Sequence, residues 1–226
     1  MRTSKIVLHS TTHATPVGEL TLIASDWGLR AVLWPADSAK RVRISTRPRL
    51  NADHPVLARA VRQLDEYFEG SRTGFDVPLD LDGTPFQLAA WQALTMIPFG
   101  TTTTYRQQAV NLGIPSAARA LGAATHANPV SIIIPCHRVI GSDGTLTGFA
   151  GGLPTKQSLL DHEARVVARG RRSQAAAAEP GANQVSRWHR LPEESAYARE
   201  AMLAPGEGLE FAERVLRRAE QTLRDG

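Results

Sequence analysis

The sequence predicts an α+β fold, with strands leading and short helices following. Three observations carry this reading. Residues 18–24 (GELTLIA) alternate apolar and polar side chains, and residues 29–34 (LRAVLW) form a second apolar run. Between them Ser25-Asp26-Trp27-Gly28 has turn chemistry, so the pair reads as a hairpin. Further on, two short helical stretches meet at Gly113, the pattern of a helix-turn-helix. Many ordinary helical domains share that last pattern, so alone it does not establish DNA binding.

The elements follow in order. Residues 40–49 are basic and poor in apolar side chains, and read as a loop. Val56, Leu57, Ala60, Val61, Leu64 and Phe68 have helical spacing and end at Gly70, predicting an amphipathic helix over 55–68. Residues 75–81 alternate and predict another strand. Asp82-Gly83-Thr84-Pro85 marks a boundary: Thr84 suits an N-cap and Pro85 the first helical position, predicting a helix over 86–97. Thr104 caps a short helix ended by Gly113, and a further helix runs from about Ser116 to Thr125. That helix is slim, with Ala117, Ala118, Ala120, Gly122, Ala123 and Ala124 around one cation, Arg119. Such a rod packs tightly on a core, or approaches a nucleic acid closely and projects one long side chain into it. The β-branched run 131–134 predicts a buried strand that stops at Pro135, placing Cys136 at its end. The organisation expected is residues 1–82, residues 83–169, then a linker and helical extension over 170–226. Its helix spans 207–224, with a partner or dimer contact as one reading of its role.

Composition narrows the function classes. The chain has 226 residues, 42% hydrophobic and 21% charged, enough apolar material for a core. No window approaches the roughly 18 apolar residues of a membrane span, and residues 1–10 lack a signal-peptide core. The expectation is a cytosolic protein without a membrane partner. Cys136 is the single cysteine, which excludes an intrachain disulfide and any multi-cysteine zinc site. Zinc held by histidine and carboxylate stays open, but no His-x-x-x-His helix motif appears, and no metal is expected. The net charge is +4. Its excess falls in residues 85–169, where Arg106, Arg119, Arg138, Lys156, Arg165 and Arg169 outnumber Asp143, Asp161 and Glu163, which permits a polyanionic partner.

Cys136 is followed by His137 and Arg138. A lone apolar-flanked cysteine is commonly an inert core thiol. Here a proton acceptor and a cation adjoin it, and such neighbours favour the thiolate, which is the nucleophile.

The run 134–139 (IPCHRV) resembles the active-site signature of the O6-alkylguanine-DNA alkyltransferases, the methylated-DNA–protein-cysteine methyltransferases. The likeness extends through TPVGELTLIASDWGL, GTPFQLAAWQALTMIPFGTTTTY, SAARALGAA, NPVSIIIPCHRVIG and GTLTGFAGGLPTKQSLLDHE, about residues 14–166. It implies a small ribonuclease-H-like N-terminal domain followed by a winged-helix-like domain that carries the site. It also implies a suicide repair protein that flips O6-alkylguanine, and by extension O4-alkylthymine, out of duplex DNA and takes the alkyl group onto its cysteine without cofactor.

Residue by residue, the resemblance makes Cys136 the acceptor and His137 the histidine that takes the thiol proton through water. Glu163 becomes the carboxylate behind that histidine, and Asn128 the turn residue bracing the segment before the cysteine. Tyr105 matches the tyrosine that rotates the nucleotide, and Arg119 the arginine that fills the vacated base position. Arg138 is grouped with the DNA-facing residues. Carbonyls of Cys136 and Val139 would accept the guanine amino group. Phe149, Ala150 and Gly151 would close over the pocket, the Ala150 N–H donating to O6. Phe149 replaces the tyrosine of many relatives, and Thr125 and Ser131 replace bulkier residues of some. The partner implied is double-stranded DNA carrying O6-alkylguanine, met by a monomer. Two competing readings stand beside this: a non-enzymatic lesion binder, whose members replace the cysteine, and a cysteine hydrolase, which needs a Cys–His pair and an oxyanion hole.

Overall fold

The computed structural model describes residues 6–35, 37, 41–44 and 46–177. The N-terminal half is built on a four-stranded sheet: β1 (His9–Thr15), β2 (Gly18–Ala24), β3 (Leu29–Leu33) and β4 (Arg49–Leu50), in the order β3-β2-β1-β4. β2 pairs antiparallel with both β1 and β3, and β4 adds to β1 in parallel. The predicted hairpin is β2–β3, closed by a Ser25 N–H donating to the Gly28 carbonyl at 3.0 Å. β1 has no counterpart in the sequence reading, because HSTTHAT carries almost no apolar signal. Its polar residues lie largely on the open side, while Leu20, Leu22 and Ala24 of β2 are fully buried.

α1 (Pro55–Glu69) covers the sheet with Val56, Leu57, Ala60, Leu64 and Tyr67, and stops at Gly70, whose φ of 81° suits glycine. Residues 75–81 run beside β3 but pair only around Leu29 and Leu79, so the strand expected there is an extended segment with one bridge. Pro78 and the isolated register leave no continuous ladder.

α2 (Pro85–Thr95) starts at Thr84 with a full capping box: the Thr84 hydroxyl accepts from the Gln87 N–H, and Gln87 reaches back to the Thr84 N–H. α3 (Tyr105–Asn111), a short 3-10 turn (Pro115–Ala117) and α4 (Ala118–His126) complete a three-helix unit around Ala90, Ala109, Leu121 and Ala124. The Trp91 indole donates to the Ala124 carbonyl at 2.8 Å and locks α2 to α4.

Residues 131–134 are buried but form a tight turn, not the strand expected from their β-branched composition. Ile134 N–H donates to the Val130 carbonyl at 2.9 Å, and Ile132 holds a φ of 74°, the one positive φ outside glycine among the described residues. Tertiary closure overrides the propensity of the run. The cysteine therefore lies on a one-turn 3-10 helix (Cys136–Arg138), not at a strand end. β6 (Val139–Ile140) follows and pairs with β5 (Thr103–Thr104), tying the start of α3 to the cysteine segment.

α5 (Leu153–Ala177) continues past Arg172, where the sequence suggests a linker. The alanines favour continuation of the helix. The helix expected over 207–224 lies outside the described residues. The main core cluster spans both halves of residues 1–168, from Leu22, Val32 and Tyr67 to Trp91, Ile134, Cys136 and Leu159. Among the described residues no helix is long and apolar enough to cross a membrane.

Candidate active site

The site is assembled around Asn128, Cys136, His137 and Glu163. Asn128 is 1% exposed; its amide donates to the Ile134 carbonyl at 2.9 Å and its oxygen accepts from the Val130 N–H at 3.0 Å. These bonds close the 128–134 turn and support the φ of Ile132. The Arg41 guanidinium spans from the N-terminal half to the Asn128 carbonyl, and is itself held by Asp37 and the Val32 carbonyl.

Cys136 is buried. Burial pushes its thiol up, and the Asn128 amide, the Arg41 and Lys156 charges and the Ser131 hydroxyl pull part of the way back. The resting group is a thiol. This corrects the expectation that the adjoining His137 and Arg138 favour a thiolate: both side chains are committed to Glu163, and the cations acting on the sulfur are Arg41 and Lys156, distant in sequence.

Glu163, 0% exposed, is the hub. Its Oε1 accepts from Tyr67 Oη at 2.9 Å, lies 2.8 Å from His137 Nε2 and accepts from Arg138 Nη2 at 2.9 Å; its Oε2 accepts from the Gly100 N–H at 2.8 Å. Burial raises the Glu163 carboxyl, but the His137 bond and the Arg138 charge outweigh it and hold it at about 2. The same burial, with the carboxylate opposite, keeps Tyr67 a phenol. Burial lowers His137 against the pull of Glu163, so the imidazole is neutral. A carboxylate only accepts, so Nε2 carries the proton and Nδ1 carries the free lone pair. Nδ1 is buried and has no protein partner.

Arg138, grouped in the sequence reading with the DNA-facing residues, points inward instead. It is 5% exposed, paired with Glu163, donates to the Ile97 carbonyl at 2.6 Å and lies over the Phe99 ring. A buried guanidinium engaged on all sides has no reach to a phosphate.

Tyr105 opens α3, and its hydroxyl accepts from Thr147 at 3.1 Å. Tyr105, Arg119, Gly122, Thr147 and Gly148 line one open depression. A β-carbon at Gly122 would already lie 3.8 Å from the Tyr105 ring, so the slim α4 packs closely there. Arg119 is exposed. Val139 is buried, and its carbonyl accepts from Lys156 Nζ at 2.6 Å; Nζ also donates to the Thr147 carbonyl at 2.9 Å. Phe149 packs edge-on against Trp34 at 5.5 Å, Ala150 is half-buried, and Gly151 lies on the Trp34 ring.

The sequence reading missed Tyr67, Arg41, Lys156 and Trp34. Each is remote in sequence from the cysteine. Tyr67 and Trp34 give only a core signal, and Lys156 sits on a polar helix face where a solvated lysine is expected.

The family profile described as "6-O-methylguanine DNA methyltransferase, DNA binding domain" matches residues 85–165, and that described as "6-O-methylguanine DNA methyltransferase, ribonuclease-like domain" matches residues 8–81. A methylated-DNA–protein-cysteine methyltransferase of Mycobacterium tuberculosis is 43% identical over 157 residues, covering 70% of this chain and 93% of that protein. One from Methanosarcina barkeri is 44% identical over 149 residues, covering 66% and 92%. The crystal structure of Mycobacterium tuberculosis OGT in complex with DNA superposes with a TM-score of 0.64 at 42% identity, covering 70% of this chain and 94% of that one. The chain belongs to the methylated-DNA–protein-cysteine methyltransferase family, with a ribonuclease-like N-terminal domain and a C-terminal DNA-binding domain.

Proposed function

We propose that this protein repairs double-stranded DNA by moving the alkyl group of O6-alkylguanine, and by the same chemistry O4-alkylthymine, once and irreversibly onto Cys136. The observation that carries the residue assignment is the buried thiol beside a neutral His137 whose Nε2–H is fixed on Glu163 and whose Nδ1 is unclaimed. The thiol proton passes to Nδ1, through a water. The sulfur lone pair attacks the alkyl carbon, the carbon–O6 bond breaks, and its electrons pass to the purine, which takes up a proton and leaves as guanine. Tyr105, kept a phenol mainly by burial, supplies an O–H at the pocket edge. Glu163 balances the imidazolium formed in the step. A base in the stack is out of reach of a buried sulfur, so the target nucleotide is extruded, with Arg119 in its place. Carbonyls of Cys136 and Val139 take the guanine amino group, the Ala150 N–H faces O6, and Phe149 and Gly151 form the wall. No cofactor enters the scheme. The protein acts as a monomer.

The lesion-binder alternative is disfavoured because the acceptor cysteine is present, in a site prepared for proton removal. The test is incubation with methylated duplex DNA, followed by mass measurement of the peptide containing Cys136. Transfer should plateau at about one methyl per chain, since a thioether is not reversed by thiol chemistry. Cys136→Ser should bind the duplex and transfer nothing. Sustained turnover, or transfer by the serine variant at a comparable rate, overturns the assignment.

A further inference from the structure

We propose that His9, Asp26 and His54 form a binding site for one divalent transition-metal cation of the zinc type. The site shares no residue with the cysteine centre. The three side chains come from β1, from the β2–β3 turn and from the residue preceding α1, so the fold and not the sequence brings them together. One ligand atom from each lies within 4.8 Å of the other two.

The distances distinguish this trio from ordinary histidine–carboxylate hydrogen bonding. His13 meets Asp65 at 2.8 Å, and His137 meets Glu163 at 2.8 Å. Asp26 Oδ1 instead stands 3.4 Å from His54 Nε2 and 3.9 Å from His9 Nε2. Those separations are wide for hydrogen bonds. Around a tetrahedral ion with bonds of about 2.0–2.1 Å, neighbouring donors are about 3.3–3.4 Å apart. The His54–Asp26 edge has that length already, and the His9–Asp26 edge is about half an ångström longer. The two rings are stacked, centroids 4.5 Å apart and planes 21° from parallel, so His9 turns out of the stack to aim its in-plane lone pair at a shared ion.

The surroundings suit an ion as well. The Asn51 side-chain amide is 3.4 Å from His9 Nδ1. With its oxygen turned to the ring it accepts the Nδ1–H and leaves the Nε2 lone pair for a ligand bond, the usual outer support of a metal-bound imidazole. No protein group claims His54 Nδ1, so nothing opposes the same tautomer there. His54 is buried and His9 partly so, whereas the Asp26 side chain is 75% exposed, giving an ion a path in and a position for water. Two imidazoles and one carboxylate select zinc-type ions over magnesium or calcium, which prefer all-oxygen sites. Binding would pin the first strand, the hairpin turn and the start of α1 together.

The test uses the full-length chain carrying Cys136→Ser, so that the reactive thiol does not compete, stripped of metal and titrated with Zn2+ by calorimetry and Co2+ by absorption. The expected result is one ion per chain, visible Co2+ bands of a four-coordinate site, and a thermal midpoint raised by about 5 °C at saturating Zn2+. Asp26→Asn, on an exposed side chain that the fold does not need, and His9→Gln should each weaken binding at least about tenfold. His13→Gln should leave it unchanged. Absence of saturable binding, an affinity indifferent to Asp26→Asn, or loss of binding with His13→Gln would each overturn the proposal.

Discussion

Trp34 and Gly151 are in contact across the two halves of the molecule: a β-carbon built on Gly151 would lie 2.8 Å from the Trp34 ring. The indole is 5% exposed and also meets the edge of Phe149. The N-terminal half therefore supplies the surface on which the pocket loop rests.

This contact predicts a sign reversal between two substitutions. Gly151→Ala alone drives a methyl group into the indole and should lift the loop, slowing single-turnover transfer by about tenfold, the effect of a small misplacement of reacting groups. Adding Trp34→Leu removes the obstruction and should recover most of that rate, although it loosens the loop by itself. Equal rates for the single Gly151→Ala variant and the double variant would show that the loop does not rest on Trp34.

Glu163→Gln should damage stability and chemistry together. The substitution leaves Arg138 buried without its counter-charge, a loss of about 3–5 kcal/mol. It also releases the tautomer of His137, and transfer at saturating substrate should fall by about 10²-fold or more. Thermal unfolding and single-turnover kinetics check the two parts separately. A stable variant with wild-type rate contradicts the role of the hub.

Acid behaviour follows from the same groups. Burial lowers His137, so its neutral form persists below the free imidazole value of about 6.5. Transfer to a free modified guanine should show no loss with a midpoint at 6.5; its acid limb lies lower. For stability, the folded values of His137 and Glu163 are both depressed, so the unfolded chain binds protons more readily and acid destabilises. The Glu163 contribution is complete above 4.5 and disappears as pH falls towards 2. A rate profile breaking at 6.5 or above would contradict the neutral assignment.

The particular elements show what a linear reading reaches. Thr84-Pro85, Thr104 and Gly70 act locally, and each helix end they predict is present. The motif residues Cys136 and His137 adjoin in sequence, and Glu163 follows from resemblance. The polar strand β1 escaped because its burial comes from its neighbours, and the 131–134 turn was misread because Asn128 overrides local β preference. Arg138 turns inward for a different tertiary reason: its partner Glu163 lies 25 residues on, and only the fold brings it near. The His9–Asp26–His54 cluster has no sequence spacing at all.

Arg119→Ala separates base extrusion from simple electrostatic contact. Arg119 is exposed on α4, in the depression it shares with Tyr105, and the alanines and Gly122 around it leave the helix slim enough to approach DNA. Extruding a base costs a few kcal/mol in stacking and pairing, and a guanidinium in the vacated position offsets part of that. A free modified base has nothing to extrude. The variant should therefore react with free base at the wild-type rate while its saturated single-turnover rate on methylated duplex falls by about tenfold or more. Ala120→Phe, on the exposed face beside it, should reproduce the duplex defect by holding the helix away. Were Arg119 only a phosphate contact, its loss would weaken affinity and reduce the salt dependence of binding by about one counterion, with the saturated rate unchanged. Single-turnover rates at saturating duplex and on free base, measured side by side, decide the matter: a saturated duplex rate equal to wild type removes the extrusion role and leaves the phosphate contact.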